Sequence, residues 1–258
     1  MVKKAVKKDD FGLDVEQMAQ AGLHFGHKTS KVHPKMEPYL YGVRKSVHII
    51  DLEQTKEKFK EALIFIRDLV SEGKTLLVIG TKIQARKLVK DFSQKFNFPY
   101  ASERWLGGTF TNFEVIKKRI DFFKSLEEQK KKGELVKYTK KERLKISRQL
   151  DGFEKKFGGI KNLEKLPDAI FVLDMEKDAL AIKEAKEKQI TVVGVSDTNA
   201  DPTVADFPIP ANDDAVNSIK YILDKVAQVV EEAKKKAKSK AKKEESDKQQ
   251  ATGDKKSV

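Results

Sequence analysis

The sequence predicts an open α/β sandwich, a three-layer fold with a parallel sheet of about five strands and an inserted antiparallel helical hairpin. Three observations point there. Short apolar runs alternate with stretches of helical spacing from about residue 46 to 111, and the same rhythm resumes after residue 160. Between them, two narrow apolar seams lie in the most basic part of the chain. Strands that alternate with helices pair in parallel through right-handed crossovers, which place helices on both sheet faces.

The elements follow in order. SVHIID (46–51) is the first apolar run. Phe59, Leu63, Ile66 and Val70 then fall four, three and four apart, an amphipathic helix that ends at Gly73. TLLVI (75–79) has the composition of a buried strand and closes at Gly80. Ile83, Leu88, Phe92 and Phe96 return to helical spacing, and Asn97-Phe98-Pro99 breaks that helix before a short strand at Tyr100. After the insertion, AIFVL (169–173) is a strand, 177–188 an Ala- and Lys-rich helix, and ITVVGV (190–195) another strand. Asp213 and Asp214 start a last helix carrying Val216, Ile219, Ile222, Val226 and Val229; acidic residues suit the positive helix N-terminus.

The insertion, 112–160, reads as an arm. Phe113, Ile116, Ile120 and Phe123 form one seam, and Ile146, Leu150, Phe153 and Phe157 the other, each of the narrow coiled-coil kind. Gly133 breaks the chain between them, so two antiparallel helices can bury each seam against the other. Domain organisation is thus a sandwich from 11–111 and 161–230, the arm at 112–160, and two appendages. The basic extension 1–10 and the Lys-rich tail 231–258 lack the apolar residues that offset ordering entropy, and both are expected to be disordered.

The 258 residues carry 53 Lys plus Arg against 40 Asp plus Glu. The arm has 15 basic and 8 acidic side chains and the tail 10 and 6, whereas the two sandwich segments cancel at +5 and −5. An excess confined to appendages suggests a polyanionic partner, because cations set against phosphates release counterions; the alternative is a merely solvated Lys-rich surface. Absence of cysteine excludes disulfides, thiolate metal sites and cysteine nucleophiles. No run approaches the ~18 apolar residues of a membrane span, and MVKKAVKKDD has no secretory apolar segment. The expectation is a soluble, cytoplasmic protein.

Catalytic motifs are missing. Gly73-Lys74-Thr75 looks like the end of a phosphate loop, but Asp68 stands where its first glycine belongs and a strand follows. Gly80-Thr81-Lys82 does follow a strand and open a helix, where free amides could hold a phosphate, but there is no second glycine. Neither GxGxxG nor GxSxG occurs, and Ser196-Asp197 has no histidine near it in sequence. The carboxyl edge of such a sheet is nevertheless where sites collect. A divalent metal ion there would take Asp197, Asp201 and Asp206 with His24; caps on the turns of DTNADP are the favoured reading of these aspartates. Trp105, in SERWLGGTFTNF (102–113), sits with Arg104 and two glycines in a setting that suits RNA, although a core tryptophan beside a hinge into the arm is preferred.

Three segments carry a family resemblance. QAGLHFGHKTSKVHPKMEPYLYGVRKSVHIIDLEQT (20–55), GTKIQARKLV (80–89) with PYASERWLGGTFTNFEVIKKRI (99–120), and LPDAIFVLD (166–174) with GVSDTNADPTVADFPIPANDDAVNSIKYI (194–222) resemble the signatures of the bacterial small-subunit ribosomal protein two family. The likeness spans roughly 11–230 in the expected order; Val32 departs from it, standing where an aromatic is expected. It implies a flavodoxin-like sheet with a helical hairpin, no catalytic role and no required cofactor. The implied partners are small-subunit rRNA and neighbouring ribosomal proteins, including the large mRNA-binding one, with no membrane and no small-molecule substrate. Candidate RNA contacts are His27, Lys28, Lys31, Lys35, Arg44 and Lys45 in the first signature, and Arg104, Asn112, Lys117, Lys118 and Arg119 at the arm's root.

Overall fold

The computed structural model describes the backbone of residues 11–253, and their side chains apart from 136, 137 and 237–253. The expected N-terminal extension and residues 254–258 lie outside the described residues. A five-stranded parallel sheet runs in the order β5-β4-β6-β7-β8, from strands β4 (Leu76–Ile79), β5 (Tyr100–Ala101), β6 (Ala169–Val172), β7 (Thr191–Ser196) and β8 (Phe207–Pro210). Its central strands are buried on both faces, so their sequences read as unbroken apolar runs rather than alternating ones.

Alternate residues of these strands feed two cores. Leu76, Val78, Phe171, Val193 and Ile209 face helices α1 (Val15–Gln20), α2 (Leu52–Ser71), α3 (Ile83–Phe96) and α7 (Val216–Gly253). Leu77, Ile79, Ile170, Val172 and Val192 face α6 (Ala179–Glu187) and the arm. Helices therefore cover both faces, as the alternation predicts.

The strand count is as expected, but the membership is not. SVHIID supplies strand β3 (Val47–Ile50) of a separate antiparallel sheet, in the order β1-β3-β2 with β1 (Phe25–Lys28) and β2 (Leu40–Arg44). The fifth parallel strand is Phe207–Pro210, whose two prolines disguise it; proline removes a ladder donor and is tolerated at a sheet edge, which is where β8 lies. The small sheet is fastened to the carboxyl end of β7. A Cβ on Gly26 would lie 2.3 Å from the Thr198 methyl, and the His27 N–H donates to Thr198 Oγ1 at 2.9 Å.

The arm is α4 (Phe113–Lys131) and α5 (Lys140–Phe157), joined through Gly133 at φ +74° and a short 3-10 turn, Glu134–Lys137. Thr139 and Glu142 form a capping box that starts α5. Phe153 packs against Phe122 and Phe123 across the hairpin. The seams do not close only on each other, however. Ile116, Ile120, Phe123, Leu150 and Phe157 belong to the same buried cluster as the β4 and β6 side chains. The arm thus forms part of the sandwich at its root, because it stands in place of a crossover helix between β5 and β6.

Helix α7 continues to Gly253, through the segment expected to be disordered from 231. Val226, Val229, Val230 and Ala233 anchor it in the core, and the Lys, Ala, Glu and Gln that follow are strong helix formers. No large apolar residue occurs between Ala233 and Val258, so helix propensity is what the sequence offers there.

Candidate functional site

The carboxyl edge gathers charge from five segments. Lys82, at the start of α3, lies 3.1 Å from Asp174 beyond β6, 2.7 Å from Asp213 and 2.6 Å from Asp214, both beyond β8. His27, on β1, has Nδ1 3.3 Å from Asp197 Oδ2 and Nε2 3.4 Å from Asp214 Oδ2. The first of these is a charge contact without hydrogen-bond alignment. It still raises the His27 pKa against the effect of burial, and Asp213 and Asp214 add to the rise. Burial lowers the Lys82 pKa, but the surrounding carboxylates outweigh it and the amine stays charged. Burial, then the like charges of Asp197 and Asp174, raises Asp213 in spite of Lys82. One lysine is shared among three carboxylates.

This arrangement decides two expectations. At Gly80-Thr81-Lys82 the Thr81 N–H and hydroxyl already donate to Asp178, at 3.2 and 2.8 Å, and Lys82 is occupied by carboxylates. A phosphate would meet negative charge where the motif needs free donors. The expected metal quartet is not assembled either. Asp201 caps a 3-10 turn by accepting from the Thr203 N–H and pairs with Lys35 at 2.8 Å. Asp206 accepts from the Val192 N–H at 2.8 Å. His24 packs on the Phe25 ring, 3.9 Å between centroids, where burial and then Arg44 lower its pKa. Both aspartates are therefore turn and strand fasteners, and the histidine that meets Asp197 is His27.

Among the described residues, His27, Asp197 and Asp214 are the grouping whose ligand atoms lie within 4.8 Å of one another. They suit a divalent ion poorly. Asp214 is held by Lys82 and the two Asp197 oxygens accept from the Thr198 and Asp213 N–H groups. Lys82 supplies the positive charge that the crowded carboxylates require.

Asp178 allows a pH prediction. Burial pushes its carboxyl up to about 6, against the two Thr81 hydrogen bonds. Between roughly pH 4 and 6 the folded chain then holds a proton that the unfolded chain, with a pKa of about 3.9, has released. This group's contribution is therefore greatest at low pH and declines as pH rises through 6, by about 3 kcal/mol in all. Urea midpoints should fall less from pH 4 to 7 in Asp178→Asn than in the parent. Parallel profiles would contradict the assignment.

The predicted basic contacts divide into two groups. Lys28, Lys31, Arg44 and Lys45 are exposed on or beside the small sheet; Arg104, Asn112, Lys117, Lys118 and Arg119 are exposed at the arm's root, the last three outside the seam. Lys35 differs. Its amine is bound to Asp201 and Thr203, and these contacts bring Asp201 to about 2 against a burial penalty. Lys117 reaches the Glu164 carbonyl at 3.5 Å. None of the other lysines and arginines in the two groups has a carboxylate at ion-pair distance among the described residues.

Sequence reasoning passed over Asp174, Asp178 and Glu184. Glu184, on α6, is buried, and its carboxylate accepts from Trp105 Nε1 at 3.3 Å, Gly108 N at 2.8 Å, Phe110 N at 2.9 Å and Thr111 N at 3.4 Å. It fixes the loop between Arg104 and Asn112, with Gly108 at φ +88° and Trp105 buried edge-on to Phe110. Trp105 is therefore a core residue. The one available signal was that Glu184 lies among Ala181, Ile182 and Ala185 on the apolar side of its helix.

The molecule is thus a parallel α/β core whose carboxyl edge is filled by internal ion pairs, with exposed cations on a side sheet and an arm. The sequence matches the family model for ribosomal protein S2 over residues 18–233, and the chain belongs to that family. It is 42% identical to the small ribosomal subunit protein uS2 of Wolinella succinogenes over 220 residues, 85% of this chain and 81% of the relative. The proteins of that name from Nitratiruptor sp. and Coprothermobacter proteolyticus are 41% and 42% identical over the same length, 82% of each. Membership makes the chain a non-catalytic component of the ribosome's small subunit. No helix among the described residues is long and apolar enough to cross a membrane.

Proposed function

We propose that the chain binds small-subunit rRNA chiefly through phosphate contacts and, from that position, supports recruitment of the large mRNA-binding ribosomal protein. The observation that carries the first part is the set of exposed, carboxylate-free cations: Lys28, Lys31, Arg44 and Lys45 on one side, Arg104, Lys118 and Arg119 on the other. Part of the acidic charge is instead drawn inward, where the buried Asp174, Asp197 and Asp213 are taken up by Lys82 and His27. The outer surface is thus more basic than the +13 total suggests. The recruitment reading rests on the family resemblance. Neither part requires a cofactor.

The test is equilibrium binding of the isolated chain to small-subunit rRNA across a salt series. The log–log slope should be about −0.7 to −0.9 per neutralised phosphate. Arg44→Ala with Lys118→Ala should reduce that slope by about two contacts and leave the melting midpoint unchanged, since both side chains are exposed. Binding that is indifferent to salt would refute the proposal.

A further inference from the structure

The edge strand of the small sheet carries an aromatic side chain that nothing in the fold accounts for. Tyr41 is 82% exposed, the most open of the large hydrophobic residues among those described, and Val43, two residues further along β2, is 56% exposed. Single exposed apolar residues are common on protein surfaces, so what singles this ring out is the row of cations on the same small sheet. Tyr41 falls at an irregularity in the β2–β3 ladder, between the Leu40↔Ile50 and Gly42↔Ile49 pairs.

Cations surround this edge. Arg44 and Lys28 both pair with Val47, from opposite sides, so two positive side chains lie in one row across the sheet, on the outer strands β2 and β1 with β3 between them. Lys45 follows in the hairpin turn, where it and Ser46 adopt positive φ of 50° and 63°. Such a turn favours Asn-Gly, and a Lys-Ser pair holds it at a cost in backbone strain. The turn sets Lys45 directly after Arg44, at the end of the strand that carries Tyr41.

From this juxtaposition we propose that Tyr41 is a stacking platform for an unpaired RNA base, with Arg44, Lys45 and Lys28 holding the flanking phosphates. The proposal rests on the rRNA-binding reading and adds to it the kind of RNA feature recognised. An aromatic ring beside cations is what single-stranded RNA needs, because every base has a face that stacks whatever its sequence. A partner's β-strand is the poorer occupant, since an irregular ladder and edge cations are the devices that discourage strand addition.

Stacking and phosphate contacts differ in their salt dependence, and the experiment uses that. The full chain is titrated with small-subunit rRNA at several salt concentrations as the parent, Tyr41→Phe, Tyr41→Ala and Tyr41→Trp. The phenylalanine variant should bind like the parent. The alanine variant should bind roughly 5- to 150-fold more weakly, the range for loss of one base stack, with the parent's salt slope. Indole emission of the tryptophan variant, above the Trp105 background, should be quenched on saturation. Parental affinity in Tyr41→Ala would overturn the proposal, as would a slope smaller by one contact or an unquenched indole. If Tyr41→Ala binds rRNA normally but is lost from assembled small subunits, the face docks a protein and the proposal is wrong. Salt-indifferent binding by the parent would instead remove the rRNA reading itself.

Discussion

Replacing Glu184 with alanine is expected to destabilise the protein by about 3–5 kcal/mol. Four donors converge on its carboxylate, and three of them are backbone N–H groups of the 108–111 loop. Without an acceptor, those that remain buried each cost about 1–3 kcal/mol. Glu184→Gln keeps one carbonyl oxygen but turns an NH2 group toward donors, so it should recover only part of the loss. Trp105 is the only tryptophan and donates to Glu184, so its emission reports the site directly. Both variants should shift that emission, and denaturant unfolding should rank them alanine, glutamine, parent. A loss below 1 kcal/mol in Glu184→Ala would mean that water or another acceptor replaces the carboxylate without cost. The consequence for function is local: the loop leads from Arg104 to Asn112, so its disorder should loosen the arm's root.

Lys82→Met should be of similar size, about 3–5 kcal/mol at neutral pH, because removing one partner of a buried ion pair leaves the other uncompensated. Here it would leave Asp174, Asp213 and Asp214 facing one another beside Asp197, with His27 as the remaining cation. The sign of the pH dependence follows from the carboxyl group. Asp213 already titrates above its ordinary range, and without Lys82 it would titrate higher still, while Asp214 would lose the partner that holds it down. Protonation removes their repulsion, so the variant's deficit should shrink as pH falls from 8 to 5. Equal deficits at both pH values, read from urea midpoints, would show that the lysine acts by packing its stem and not by its charge.

The sequence disclosed most of the fold because most of the sheet is buried on both faces. TLLVI, AIFVL and ITVVGV had to be strands of a covered parallel sheet, and the helices between them repeat their apolar residues at the spacing of a helix. What stayed hidden has physical causes. Phe207–Pro210 carries two prolines that an edge strand tolerates and a central one does not. Val47–Ile50 has the composition of a core strand, but its antiparallel partners are short and partly open. The root of the arm is shared with the sheet because α4 and α5 replace a crossover helix, a tertiary fact that two self-matching seams do not reveal.

The site was less legible than the fold. Asp197 meets a histidine at the carboxyl edge, but that residue is His27 and not His24, because Gly26 lets β1 close on Thr198. The decisive cation, Lys82, stood in a motif read for phosphate. Sequence spacing gives which charges lie near a sheet edge; it does not give which of them neutralise one another.

The most direct test of the central claim, a structural component of the small ribosomal subunit held there by phosphate contacts, is sedimentation of the tagged chain from a cell lysate. In low salt the chain should comigrate with small subunits, and raising the salt should release it progressively to the top of the gradient. A chain that stays at the top in low salt, while the small subunits sediment without it, would contradict the account.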